Sequence, residues 1–165
     1  SVCPITNHIP INQVVKKICK STIIKKVKTI NNFYKKIINK KPIFAILSLN
    51  PHNFFLSNKA KEKKIIISAI NTLNKLRINV KGPIASDSSF MISKKYNLDV
   101  LIGMYHDQVL APFKALYAFK AINITLGLSY IRISPDHGIG EDIIGKKIAN
   151  PESLIESIKF FNRIK

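Results

Sequence analysis

At 165 residues and 46% hydrophobic content, with a slightly positive mean hydropathy, the chain is long enough for one domain with its own core and too apolar to be disordered. A formal net charge of +18 at pH 7 raises nucleic acid and anionic membranes as partners. The lysines, however, are spread with Ile and Asn, as in KKIINKKPI and KEKKIIISAINTLNK, which is the drift of an A+T-rich coding sequence.

No zinc-finger spacing, RNP-like motif or aromatic interleaving accompanies the charge, so no nucleic-acid partner is expected. No run approaches the roughly 20 apolar residues of a membrane helix. The opening SVCPITNHIP has neither a basic n-region nor an apolar h-region, so a soluble, cytoplasmic protein without a membrane partner is expected. Cys3 and Cys19 fit no CxxC pattern and read as free thiols.

In chain order, residues 1–42 read as a polar, Lys- and Asn-rich lead-in with one moderately apolar stretch from 11 to 30. From Pro42 onward, short β-rich runs alternate with segments of helical period, the pattern of a parallel α/β sheet. The runs are IFAILSL at 43–49, NVKGPI at 79–84, DVLIGMY at 99–105, AINITLG at 121–127 and YIRIS at 130–134. Between the first two, Ile66, Ile70, Leu73 and Leu76 mark one face of a helix over 58–77. Further helices are expected after Ser88 and after His106. A last one opens at Pro151, with Asn150 as cap and Glu152 in the first turn. No internal repeat and no flexible linker interrupts this order, and the chain reads as a single unit, 1–165.

Polar chemistry collects at the strand ends. His52 follows IFAILSLNP, His106 follows DVLIGMY and His137 follows YIRISPD. Ligands of parallel α/β sheets gather beyond the strands' carboxyl ends, so these loops should converge on one crevice. Imidazoles from separate loops suit a catalytic divalent ion, with His8 in TNHIPIN as a further ligand from far away in sequence. A lone histidine after a strand also serves as a helix cap or as a hydrogen-bonded loop residue, and spacing alone does not separate these uses. Asp107 and Gln108 adjoin His106, and Lys114, Asn123, Arg132 and Asp136 occupy or flank later elements. Such a set resembles an anion-binding redox or hydrolytic site. Arg132 could equally pair with Asp136, whereas Asn123, inside an apolar strand, is expected to be buried and to need partners.

The segments LNPH, GPIASDSSF, GMYHDQVLAPFK, AINITLGLSYIRISPDHG and NPESLIESI, in this order, resemble the C-terminal half of the 4-hydroxythreonine-4-phosphate dehydrogenase family, over essentially the whole chain from Thr6. The resemblance implies an α/β/α layered sheet of the isocitrate and isopropylmalate dehydrogenase type, C-terminal part only, without a GxGxxG fingerprint. It implies a homodimer with a shared active site, to which the lead-in contributes at the interface. It also implies NAD- or NADP-dependent, metal-dependent oxidation and decarboxylation of 4-phosphooxy-L-threonine, a small phosphorylated hydroxy acid, to 3-amino-2-oxopropyl phosphate in pyridoxal 5'-phosphate (vitamin B6) synthesis.

By the same resemblance, His8, His52 and His106 hold zinc, magnesium or cobalt. Lys114, Asn123 and Arg132 contact the substrate, and Asp87 and Lys114 serve catalysis. Asp136, His137 and Gly138 lie near the nicotinamide cofactor. Two departures accompany the match. NFFLSNK stands after LNPH where the family has a glycine-rich stretch, and nothing matches the family's N-terminal half, which carries the phosphate-gripping histidine and threonine. The chain is therefore expected to be a fragment, a split subunit that pairs with a separate N-terminal half, or a decayed gene product. The alternatives are a paralogue acting on erythronate or threonate 4-phosphate, and a non-catalytic fragment that only dimerises.

Overall fold

The computed structural model describes residues 1–50, 61–136, 138 and 140–164. Their contacts divide the chain into two compact units, Ser1–Pro112 and Phe113–Lys165. Among the described residues, no helix is long and apolar enough to cross a membrane.

The first unit is built on four strands: β1 (Val2–Thr6), β2 (Phe44–Leu47), β3 (Val80–Ile84) and β4 (Val100–Tyr105). They lie in the order β1-β4-β2-β3, every pair parallel. All four carboxyl ends therefore share one edge. β2 is covered on both faces, and for that reason it reads as the unbroken apolar run FAIL, with no polar alternation. Successive side chains point to opposite faces. Ala45 and Leu47 pack with Leu101 and Val109 and against Phe90, Ile92 and Leu110, which belong to α4 (Ser89–Lys95) and α5 (His106–Tyr117).

The opposite face receives Phe44 and Ile46, both fully buried. It is the side of α2 (Lys20–Phe33), with Ile23, Val27 and Ile30 buried, and of α3 (Lys61–Lys75), with Ile66, Ala69, Ile70 and Leu73 buried. Each large aliphatic side chain among them contributes about 2 kcal/mol by leaving water. The unit is thus an α/β/α sandwich, the layering that the resemblance implies.

The structure corrects three readings of the sequence. The lead-in is no mere approach to the fold: it holds β1, α1 (Ile11–Lys17) and α2, and β1 forms one edge of the sheet. Pro4 within VCPIT hid that strand, since proline is tolerated only where its missing N–H is not needed, and an edge strand is such a place. The apolar stretch 11–30 is two helices, broken by extended backbone at Ile18 and Cys19. Leu76 does not continue the face of Ile66, Ile70 and Leu73; it lies beyond the end of α3 and is exposed.

Two side chains pin the connections. The Asn74 amide bonds both backbone groups of Val80, accepting at 3.0 Å and donating at 3.1 Å, and so ties the last turn of α3 to the first residue of β3. Asp99, just before β4, accepts from the Ile43 backbone N–H at 2.9 Å and pairs with Lys40.

The second unit holds β5 (Ile122–Thr125), β6 (Arg132–Pro135) and α6 (Glu152–Arg163). β5 and β6 pair antiparallel, not parallel as the alternation of runs suggests. The six residues between them are too few for the crossover that a parallel pair requires. α6 begins as expected, with Asn150 Oδ1 accepting from the Glu152 N–H at 2.8 Å. Ser153 and Ser157 are the buried residues of this helix.

Candidate functional site

β1 and β4 are neighbours, and Thr6 stands opposite Tyr105 at their carboxyl ends. This register brings two histidines side by side, because His8 lies two residues beyond the one strand and His106 directly beyond the other. The two rings come together with centroids 5.5 Å apart and planes inclined at 44°. His8 has φ 49°, in the left-handed region that non-glycine residues seldom occupy, so the exit from β1 is turned sharply. The buried Thr6 hydroxyl donates to the Met104 carbonyl at 2.8 Å and locks the two strand ends together.

His106 opens α5. Its Nδ1 lies 2.6 Å from Asp107 Oδ1, so Nε2 is the ring nitrogen that does not face the carboxylate. Two imidazoles on one ion, each nitrogen about 2.1 Å from it, put their ring centroids about 5 Å apart at a tetrahedral angle. The observed 5.5 Å fits that spacing. His52, the third ligand implied, lies outside the described residues, as does His137. Among the described residues no group of three or more His, Cys, Asp or Glu side chains gathers into a metal cluster.

The strand exits are held by a side chain for which the sequence suggested no structural role. Gln108, in the first turn of α5, is buried; its Oε1 accepts from the Met104 N–H at 2.6 Å and its Nε2 donates to the Ser48 carbonyl at 2.7 Å. Ser48 follows β2, and its N–H donates to the Ile84 carbonyl at 2.8 Å while its hydroxyl donates to the Asn50 carbonyl at 2.6 Å. The exits of β2, β3 and β4 are thereby bonded into one frame. α5 comes this close only because residue 103 is glycine: a Cβ there would stand 2.6 Å from Val109 Cγ1. The available signal was an amide in the first helical turn directly after a wholly apolar strand. Asp87 follows β3 on the same edge, exposed, with Oδ1 accepting from the Ser88 N–H at 2.8 Å. Its strand lies two places from β4, roughly 10 Å across the sheet.

The second unit carries the other expected residues. Asn123 opposes Ser134 and Thr125 opposes Arg132, so Asn123 and Arg132 share one face of the pair. Both are exposed, which corrects the expectation of a buried Asn123: strand β5 lies in a two-stranded ribbon with a polar face, not inside a covered sheet. Arg132 Nη1 donates to Thr125 Oγ1 at 2.9 Å. Asp136 pairs with Lys114 instead, at 3.5 Å, and its backbone N–H donates to Ser153 Oγ at 2.9 Å. Gly138 is exposed, and nothing beyond its chain neighbours lies within 4 Å of where a Cβ would stand.

The fold is of the α/β dehydrogenase type. Two solved 4-hydroxythreonine-4-phosphate dehydrogenases, from Klebsiella pneumoniae and Burkholderia phymatum, match it with TM-scores of 0.83 and 0.80 at 31% and 30% identity; each match covers 99% of this chain and 50% of theirs. A terephthalate 1,2-cis-dihydrodiol dehydrogenase from Burkholderia xenovorans shares the fold alone, with a TM-score of 0.76 at 21% identity.

Residues 1–161 match the family described as pyridoxal phosphate biosynthetic protein PdxA, and the chain belongs to that family. A 4-hydroxythreonine-4-phosphate dehydrogenase of Sulfurihydrogenibium is 46% identical over 160 residues, which is 96% of this chain and 49% of that protein. One from Aquifex aeolicus is 36% identical over 156 residues, 94% and 48% respectively. The chain thus spans about half the length of the curated relatives it matches.

Proposed function

We propose that this chain is part of an enzyme that oxidises the secondary alcohol of 4-phosphooxy-L-threonine with NAD or NADP and releases carbon dioxide, giving 3-amino-2-oxopropyl phosphate in vitamin B6 biosynthesis. Activity requires the remainder of the family's length. The observation that carries the reading is the pairing of His8 and His106 at the sheet's carboxyl edge, at a spacing suited to one divalent ion.

His8, His52 and His106 would hold zinc, magnesium or cobalt. An ion bound by neutral imidazoles keeps its double positive charge and lowers the pKa of an alcohol that it meets. Asp107 keeps His106 in the ligating orientation through its contact with Nδ1. Asp87 is the candidate acceptor for the hydroxyl proton, and a bound nicotinamide would supply the acceptor for the hydride from the same carbon. Loss of carbon dioxide from the resulting β-keto acid leaves its electron pair on the carbon skeleton, where a proton replaces it.

Lys114, Asn123 and Arg132 would receive the anionic and polar groups of the substrate. Asp136 holds the Lys114 ammonium group in place, and Arg132 has a planar fork of five donors, one of which reaches Thr125. For the nicotinamide cofactor, Asp136, His137 and Gly138 are the candidates, supported by the open space at Gly138. We place a homodimer contact on residues 1–42, where Ile11 and Val15 stand exposed one turn apart on α1.

The test combines this chain with the complementary half of a family member, 4-phosphooxy-L-threonine and NAD or NADP. Reduced nicotinamide is expected to accumulate, and a chelator or His106→Ala should stop it. Turnover that survives both treatments removes the metal assignment, and absence of turnover with every metal and both nucleotides removes the activity.

A further inference from the structure

His8 and His106 follow different strands, so the separation of their rings depends on how those strand ends are held. The backbone register of β1 with β4 stops at Thr6 and Tyr105. Past it both segments leave the sheet, His106 into α5 and His8 through its left-handed turn at φ 49°. Asn7 and His8 are exposed, and the last buried residue on the way to His8 is Thr6, at 8% exposure.

A β-branched residue suits this place in a strand, and valine would supply the same shape. What valine lacks is the hydroxyl, and a buried hydroxyl is costly unless it is bonded. Here it donates to the Met104 carbonyl at 2.8 Å. Met104 is fully buried in β4, two residues before His106, and its N–H is taken as well, by Gln108 Oε1 at 2.6 Å. Both backbone groups of Met104 are thus held by side chains, one from β1 and one from α5. Gln108 carries the connection on to the Ser48 carbonyl beyond β2. Thr6 is the member of this frame that reaches β1, and therefore the one that bears on His8. Strand ends fray where pairing stops, whereas ligands must be held to within about 0.5 Å of their working geometry.

We propose that Thr6 is a positioning residue for the divalent ion: its hydroxyl, by holding the Met104 carbonyl, fixes the separation at which His8 and His106 reach one ion. The inference rests on the metal reading of that histidine pair. Thr6 itself touches neither ion nor substrate and acts through the two imidazoles.

The test uses the chain with cobalt(II) or zinc alone, without substrate or nucleotide. Affinity is read by titration calorimetry, coordination geometry by the visible absorption of bound cobalt, and stability by the urea midpoint. Thr6→Val, which keeps the shape and loses the hydroxyl, should weaken cobalt binding by about 10–100-fold and alter the cobalt spectrum. Thr6→Ala should match it in affinity. Thr6→Ser keeps the hydroxyl and loses the methyl group; it should be less stable than the parent yet bind cobalt with the parent's affinity and spectrum, a rescue that a merely structural role would not produce. Parent-like affinity and spectrum in Thr6→Val, or a loss in Thr6→Ser as large as in Thr6→Val, overturns the proposal and leaves the metal reading standing. A parent chain that binds no cobalt, or that binds it no better than His8→Ala, overturns the metal reading and the proposal together.

Discussion

Gln108 and Ser48, sixty residues apart in sequence, are joined by a 2.7 Å hydrogen bond from the glutamine amide to the serine carbonyl, and the same side chain accepts the Met104 N–H at 2.6 Å. One buried residue thereby fixes the end of β4, which delivers His106, to the exit of β2, which leads toward His52.

Replacing Gln108 by Met keeps the length of the side chain and removes both bonds. It strands a buried donor and a buried acceptor, at a cost of about 1–3 kcal/mol each. The variant should lose roughly 2–4 kcal/mol, read as a lower urea midpoint at unchanged slope. Gln108→Glu separates the two bonds. A protonated carboxyl can still donate to the Ser48 carbonyl, whereas an ionised one turns a negative oxygen toward it. Its stability should therefore approach that of the parent at acid pH and fall as the carboxyl ionises. A glutamate variant with the same deficit at every pH would show that the bond to Ser48 contributes nothing.

Asp107 is exposed, and under the proposed metal assignment its contact with His106 Nδ1 makes it the partner that orients a ligand. Asp107→Asn should weaken cobalt or zinc binding by about 10–100-fold, the usual cost of losing the partner that orients a ligand histidine. His106→Ala and His8→Ala should each remove binding at the pair altogether. Titration calorimetry on the chain reads this without any turnover. Equal affinities for the parent and the His8 variant would separate His8 from the metal.

Much of this geometry could be read from the residues, and the remainder was hidden for identifiable causes. Strands β2, β3 and β4 announce themselves through apolar runs bounded by turn residues, so His106 could be placed at a carboxyl edge correctly. His8 could not, because Pro4 disguised β1 and left the histidine apparently outside the sheet. The pairing of His8 with His106 comes only from the β1–β4 register, a long-range fact with no local trace. β5 and β6 were visible as strands, but their direction depended on the length of the connection. Asn123 looked buried because its neighbours are apolar; in a ribbon covered on one side alternate side chains face away from the cover, and Asn123 is exposed while Thr125 is half-buried. The role of Gln108 was hidden for a related reason: its partners are backbone groups, one four residues back at Met104 and the other sixty residues away at Ser48.

The two cysteines should separate cleanly by reactivity. Cys19 Sγ stands exposed at the start of α2, 2.9 Å from Thr22 Oγ1 and 3.3 Å from Ser21 Oγ. Hydrogen bonds from the Ser21 and Thr22 side chains hold its pKa down, from the ordinary thiol value of 9.0 to about 7. Burial pushes the Cys3 thiol up instead. The thiolate is the nucleophile, so the alkylation rate tracks its fraction. Iodoacetamide should modify Cys19 with a half-maximal rate near pH 7 and leave Cys3 unmodified until well above the ordinary thiol range. Because the hydroxyls favour the charged form, removing them must raise the pKa: Ser21→Ala with Thr22→Ala should move the Cys19 profile toward higher pH and slow its reaction at neutrality. Peptide mapping of singly alkylated protein reads the selectivity. Equal labelling of both thiols at pH 7, or a profile that the double substitution leaves in place, would rule out the hydroxyls as the cause.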